Sequence, residues 1–193
     1  MPAPDTTHAR AERLARLRAA MARHQVDAFI VPSADPHLSE YLPGRWKGRE
    51  WLSGFTGSVG TFIATRDFAG VWTDGRYYTQ AEEELAGTEI QLMKIPSGAS
   101  LLHIDWLADN LDEGQTVAVD ARVLGLAVAR LLGDALAEVE NAGNQGGDQG
   151  YQDHVDGRGT RHQLIAGFQQ FPLPGPQHTT PFRIPGPRVE RPK

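Results

Sequence analysis

Apolar residues recur along the first 140 positions in two rhythms, one of three to four residues and one of short unbroken runs. From Ala9 to His24, Leu14, Leu17 and Met21 fall at helical spacing while Arg10, Arg13, Arg16 and Arg18 lie largely on other faces, which predicts an amphipathic helix. Thr6 or Thr7 is its expected N-cap. Val26 to Val31 is a short, β-branched run stopped by Pro32 and reads as a buried strand. A second helix is expected over Arg45 to Leu52. Gly60 to Thr65 and Ala69 to Thr73 read as paired strands joined at Arg66 and Asp67. Gly75 to Ala86 follows as a helix, with Gly87 as its stop. Ile90 to Ile95 alternates as a strand, and Ser100 is placed to cap a helix reaching about Asn110. Thr116 to Val119 gives another strand and Leu124 to Val139 a last helix. Strands and helices alternate without any internal repeat, so the predicted class is α/β, a mixed and partly parallel sheet flanked by helices.

The pattern fails after Glu140. Residues 1–140 carry 13 Lys and Arg against 20 Asp and Glu, a net of −7, whereas residues 141–193 carry 6 against 4, a net of +2. The later stretch also holds 9 Gly and 7 Pro in 53 residues. Such a composition buries too little apolar area to offset the entropy of ordering it. The expectation is one domain over 1–140 and a disordered Gly/Pro-rich tail over 141–193.

Composition removes several function classes. With no cysteine in the chain, disulfides, thiolate zinc sites and cysteine nucleophiles are excluded. A net charge of −5 argues against nucleic acid as a partner, because phosphate binding needs clustered Lys and Arg. Met1 to Asp5 shows no apolar leader and nothing later approaches ~20 consecutive apolar residues, so no membrane role and a cytoplasmic location are expected.

The candidate chemistry sits in three dense runs. Gly54-Phe55-Thr56-Gly57-Ser58-Val59-Gly60 is glycine-rich but precedes a strand, whereas phosphate loops follow a strand and open a helix. It reads as a tight connection whose glycines take positive φ or allow close approach. Ser58 lacks the G-x-S-x-G elbow, so a hydrolase built on Ser58 and His37 has little support. The seven histidines fall at no ligand spacing, and Asp153-His154-Val155-Asp156 offers at most a weak metal trap. Asp35, His37 and Glu40 follow a strand end, where α/β proteins build sites, yet Asp35-Pro36 equally starts a turn that His37 and Glu40 cap. In Trp72-Thr73-Asp74-Gly75-Arg76-Tyr77-Tyr78, Asp74 is placed to cap a helix beginning at Gly75. Arg76 then falls in its first turn, against the helix dipole. Its fork suits a carboxylate or a peptide carbonyl, and a surface salt bridge to Glu40 or Glu83 is the alternative.

Taken in register, these runs resemble the N-terminal domain of the cytosolic-type Xaa-Pro aminopeptidases, the aminopeptidase P branch of the creatinase/methionine-aminopeptidase superfamily (peptidase family M24). The residues that carry the resemblance are Pro32 to Tyr41, Ser53-Gly54-Phe55 with Gly57-Ser58 and Gly60-Thr61, Trp72 to Tyr77, and Leu92-Met93-Lys94, within roughly residues 10–140. The resemblance implies a mixed sheet flanked by helices, attached in full-length relatives to a catalytic domain that hydrolyses the bond between an N-terminal residue and a following proline. In that domain two divalent metals, usually manganese, held by Asp, Asp, His, Glu and Glu, activate a bridging water and polarise the scissile carbonyl. It implies that the N-terminal domain narrows access to the site, helps bind a peptide with proline at its second position, and contacts substrate through Arg76. No later position corresponds to the five metal ligands. No catalytic or metal-binding residue and no cofactor is therefore assigned to this chain, which is expected to be inactive alone. Its abrupt change after Glu140 motivates the expectation of a truncated product with a tail translated in a shifted reading frame. The rival expectation is a freestanding module that docks on a catalytic subunit or homologue. A homo-oligomer or the missing catalytic domain is the protein partner considered.

Overall fold

The computed structural model describes residues 6–143 and 165–166. The chain opens with α1 (Thr7–Arg23), whose N-cap Thr6 accepts a hydrogen bond from the Ala9 amide at 3.2 Å, as expected. Then come β1 (Ala28–Pro32), a short 3₁₀ turn over Gly44–Trp46, α2 (Gly48–Ser53), β2 (Thr61–Thr65) and β3 (Ala69–Asp74). They are followed by α3 (Tyr78–Leu85), β4 (Gln91–Ile95), α4 (Leu102–Asn110), β5 (Val117–Val119), α5 (Leu126–Gly143) and the two-residue β6 (Ile165–Ala166).

One sheet collects all six strands in the order β4-β3-β2-β1-β5-β6. β2 pairs antiparallel with both β1 and β3, while β3 with β4, β1 with β5, and β5 with β6 are parallel. Five strands therefore run one way and β2 alone runs against them. The sheet is mixed, as predicted. The C-terminal ends of β1, β3, β4 and β5 all open on one edge, together with the N-terminal end of β2.

Strand side chains alternate between the two faces, and each face has its own core. Phe29, Phe62, Ala64 and Val71 pack with Leu14, Leu17 and Met21 of α1, Leu52 of α2 and Leu85 of α3. Ile30, Ile63, Trp72, Val117 and Val119 pack on the other side with Ile104 and Leu107 of α4 and Leu132 and Leu136 of α5. Burial on both faces explains why these strands are nearly continuous apolar runs rather than half-polar ones. Phe55, Phe62, Ile63, Leu107 and Val119 are entirely buried.

Three local expectations need correction. The helix predicted over Arg45 to Leu52 is two pieces. Trp46 and Lys47 donate to the carbonyls of Pro43 and Gly44, the three-residue spacing of a 3₁₀ turn, and Lys47 then restarts the chain as the cap of α2. The helix predicted from Gly75 starts only at Tyr78, because Asp74 spends its carboxylate on Arg76 and its carbonyl on the Tyr77 amide. Ser100 stands before the cap residue Leu101, reaching the Leu102 amide at 3.4 Å. Gly87, the expected stop of α3, takes φ +73°. The expected domain boundary at Glu140 falls inside α5, which ends at Gly143. The predicted tail lies outside the described residues apart from residues 141–143, which finish α5, and Ile165–Ala166, which extend the sheet beside β5.

Candidate functional site

The candidate residues gather on the edge where the parallel strands end. There β3 hands over to Asp74-Gly75-Arg76. The Asp74 carboxylate accepts hydrogen bonds from the Arg76 amide at 3.1 Å, from its Nε at 2.9 Å and from its Nη2 at 2.7 Å. The pair is a clasp closed within three residues. The Asp74 side chain is 5% exposed and the Arg76 side chain 64% exposed, so the carboxylate is buried and the guanidinium is presented to solvent. The hydrogen bonds from Arg76 hold Asp74 below its ordinary carboxylate value against the opposing effect of burial, and Asp74 in turn raises Arg76. Arg76 also lies over the Tyr77 ring at 5.4 Å. Its ion pair is thus with Asp74, not with Glu40 or Glu83, and it precedes α3 rather than sitting in its first turn.

The glycine-rich loop is the tight connection the sequence suggested. Gly54 takes φ +75° as the cap of α2, and a Cβ on Gly60 would sit 2.9 Å from the Trp72 carbonyl oxygen. The loop is fastened from three sides. The Arg49 guanidinium donates to the carbonyls of Phe55 and Gly57 and lies 4.6 Å above the Phe55 ring. Glu84 of α3 accepts from the Thr56 amide at 2.8 Å and its hydroxyl at 2.6 Å. The Thr73 hydroxyl donates to the Val59 carbonyl at 2.7 Å. Arg49 is buried, burial pulls its pKa down to about 10, and its Nε has no hydrogen-bond partner. Ser58 bonds the Tyr77 hydroxyl at 2.6 Å, which ties this loop to the Asp74–Arg76 clasp.

Of the Asp35, His37 and Glu40 group, the turn reading describes the structure. Asp35 is buried and its carboxylate accepts from the amides of His37 (3.0 Å) and Ser39 (2.9 Å). Those bonds, that from Ser39 foremost, hold it below the ordinary carboxylate value. The turn forces Leu38 to φ +53° and leaves Leu38 and Tyr41 largely exposed. Among the described residues no group of three or more His, Asp or Glu could hold a metal, so no donor set here fits a metal pair. The Asp153 to Asp156 run lies outside the described residues.

Between these features lies an open pocket of about 210 Å³, walled by Pro32 at the end of β1 and Ser33 after it, by Tyr41 and Trp46, and by Gly57 and Ser58 ahead of β2, with Glu40, Lys47, Arg49 and Glu50 also on its wall. On its far side from Arg76 the chain repeats the clasp. Asp120, just past β5, accepts from the Arg122 amide at 3.0 Å, from its Nε at 3.0 Å and from its Nη2 at 2.5 Å. Arg122 lies over Trp46 at 4.9 Å, and Arg45 lies over the same indole at 5.1 Å. The sequence reading passed over Arg49, Trp46 and Arg122. A search for Asp-x-Arg at strand ends would have found Arg122.

The Creatinase/Prolidase N-terminal domain family matches residues 13–145. The chain belongs to this family. Aminopeptidase P1 of Lotus japonicus is 42% identical over 127 residues, 65% of this chain and 19% of the relative. Xaa-Pro aminopeptidase 2 of Mus musculus is 44% identical over 108 residues, 56% of this chain and 16% of the relative. The crystal structure of an X-prolyl aminopeptidase from Caenorhabditis elegans, described as a cytosolic enzyme with a di-nuclear active site, superposes with a TM-score of 0.64. It is 27% identical and covers 81% of this chain and 24% of that one. The chain thus spans about a fifth of the length of the curated relatives it matches. As a creatinase/prolidase N-terminal domain it has the mixed sheet flanked by helices that the sequence predicted, and no described helix is long and apolar enough to cross a membrane.

Proposed function

We propose that this chain serves as the substrate-access and recognition domain of a metal-dependent Xaa-Pro aminopeptidase, whose reaction releases the N-terminal residue preceding proline, and that it performs no hydrolysis itself. The observation that carries the reading is the Asp74–Arg76 clasp. A buried carboxylate holds an exposed guanidinium in one orientation, so a peptide carbonyl or carboxylate meets a donor already aimed and little side-chain entropy is lost on binding. The partner is a peptide with proline at its second position, in the cytoplasm. The two divalent metals, manganese or similar, belong to a catalytic domain supplied by the rest of a longer chain or by a partner copy.

The test is direct. Purified chain incubated with Xaa-Pro peptides and Mn²⁺ is expected to release no N-terminal residue, while it binds those peptides weakly and Arg76→Gln lowers the affinity several-fold. Turnover that tracks the purified chain, or affinity indifferent to Arg76, defeats the reading. The second reading, a freestanding module that docks on a catalytic subunit or homologue, draws on the exposed Leu38 and Tyr41 beside the pocket. Co-purification with a full-length relative supports it, and a monodisperse, inert monomer counts against it.

A further inference from the structure

The two clasps share one edge of the sheet because β3 and β5 run the same way, and two strands, β2 and β1, lie between them. The pocket occupies that interval, since Pro32 and Ser33 leave β1 and Gly57 and Ser58 lead into β2. Arg122 touches a residue of the pocket wall directly, and Arg76 is linked to the wall through one intervening side chain. Arg76 reaches it through Tyr77, whose hydroxyl bonds Ser58, and Arg122 reaches it through Trp46. Three strand steps of ~4.8 Å separate the clasps by about 14 Å, the length of roughly four residues of extended peptide.

We infer that Arg122 is a second recognition cation, and that the edge binds an extended peptide of four or five residues with a main-chain carbonyl at Arg76 and its C-terminal carboxylate at Arg122. This rests on the reading of Arg76 above and adds the far end of the same ligand. Direction follows from charge. Arg45 and Arg122 both face the Trp46 ring, so that end carries two guanidiniums and takes the full negative charge, while the single guanidinium of Arg76 suits a neutral carbonyl. The bidentate hold of Asp120 fixes the Arg122 fork, and its side chain remains 41% exposed for a second acceptor. Trp46 and Tyr41 offer aromatic surface to the peptide's middle residues.

The experiment is calorimetric titration of the full chain with Ala-Pro, Ala-Pro-Ala-Ala and Ala-Pro-Ala-Ala-Ala, each as free acid and as C-terminal amide. Affinity is expected to rise at least tenfold from the dipeptide to the longer acids, and amidation of a longer peptide to cost about tenfold, the scale of one charge-assisted hydrogen bond. In Arg122→Gln the acid and the amide should bind alike, and Arg122→Lys, which keeps the charge without the fork, should restore part of the difference. Circular dichroism and the thermal midpoint show that both variants fold, and a purely structural role would not alter the acid–amide difference. Persistence of that difference in Arg122→Gln overturns the inference and leaves Arg76 standing if Arg76→Gln still weakens every peptide. Indifference to Arg76→Gln removes the reading on which the bridge rests. No length dependence, or no binding at all, also overturns it.

Discussion

The ends of β3 and β5 carry the same three-residue device and embed it differently. In both, an Asp side chain accepts the amide and the guanidinium of the Arg two residues later. At β3 the carboxylate is 5% exposed and a neighbouring backbone, at Gly98, lies so close that a Cβ there would stand 3.0 Å from Asp74 Oδ2 and 2.8 Å from Val59 Cγ1. At β5 the carboxylate is 25% exposed, and the contact that holds the Arg from outside is the face of Trp46. Local sequence suffices to close such a clasp. Tertiary packing decides how deeply its carboxylate is set, which makes the β3 clasp the buried one and the β5 clasp the more open one.

The strongest way to break the comparison is to remove the sheet between them. Phe62 on β2 is wholly buried in the core shared by α1, α2 and α3. Phe62→Ala should cost about 3–5 kcal/mol in urea denaturation. A cost below about 1 kcal/mol would mean that the two clasps are not held by a common, tightly packed core.

A selective change comes next. Gly98→Val places a branched side chain against Val59 and Asp74, so the β3 clasp must open or its loop must move, at about 1–3 kcal/mol, the range for overpacking. Peptide binding at the Arg76 end should weaken with it while the Arg122 acid–amide difference survives. Equal damage at both ends would show that the clasps are not separately embedded.

How much of this was legible in the sequence follows from the range of each interaction. The strands showed because burial on both faces makes them apolar runs, and α1 showed because one face alone meets the core; even its cap could be narrowed to Thr6 or Thr7, of which Thr6 is the one. The start of α3 was misplaced because Asp74 is a good cap by composition, and only the structure reveals that its carboxylate is already taken by Arg76. The break near Lys47 was missed because Arg45 to Leu52 has helical spacing and no proline, and the single Gly48 that stands at the break is a signal a helical pattern also tolerates. Arg76 stood out within a dense motif. Arg122, Trp46 and Arg49 did not, because their roles depend on strand order and on a pocket that forms only when residues 32, 46, 49 and 57 meet, with Arg122 over Trp46.

The smallest effect concerns acid. Arg76 holds the Asp74 carboxyl below its ordinary value of 3.8, and the Ser39 and His37 amides hold Asp35 below the same value. A carboxyl whose folded pKa is depressed stabilises the fold fully above its unfolded value and loses that contribution as the pH falls through the folded one. Buried His103 behaves in the same direction from a higher start. Burial lowers it from 6.5 despite the opposing influence of Asp105, so its protonation destabilises the fold as the pH falls below 6.5. Urea denaturation across pH 7 to 3 should therefore decline first through His103 and then, below 3.8, through Asp74 and Asp35. Asp74→Asn should be less stable than the native chain at pH 7, and the gap should close below pH 3.8, where the native Asp74 gains a proton and also loses its charge. His103→Gln should remove the upper part of the decline and leave the lower part intact. A gap between Asp74→Asn and the native chain that stays constant down to pH 3 would show that the clasp acts through hydrogen-bond shape alone. The charge of Asp74 would then contribute nothing, and the burial that sets the β3 clasp apart would matter only through its shape.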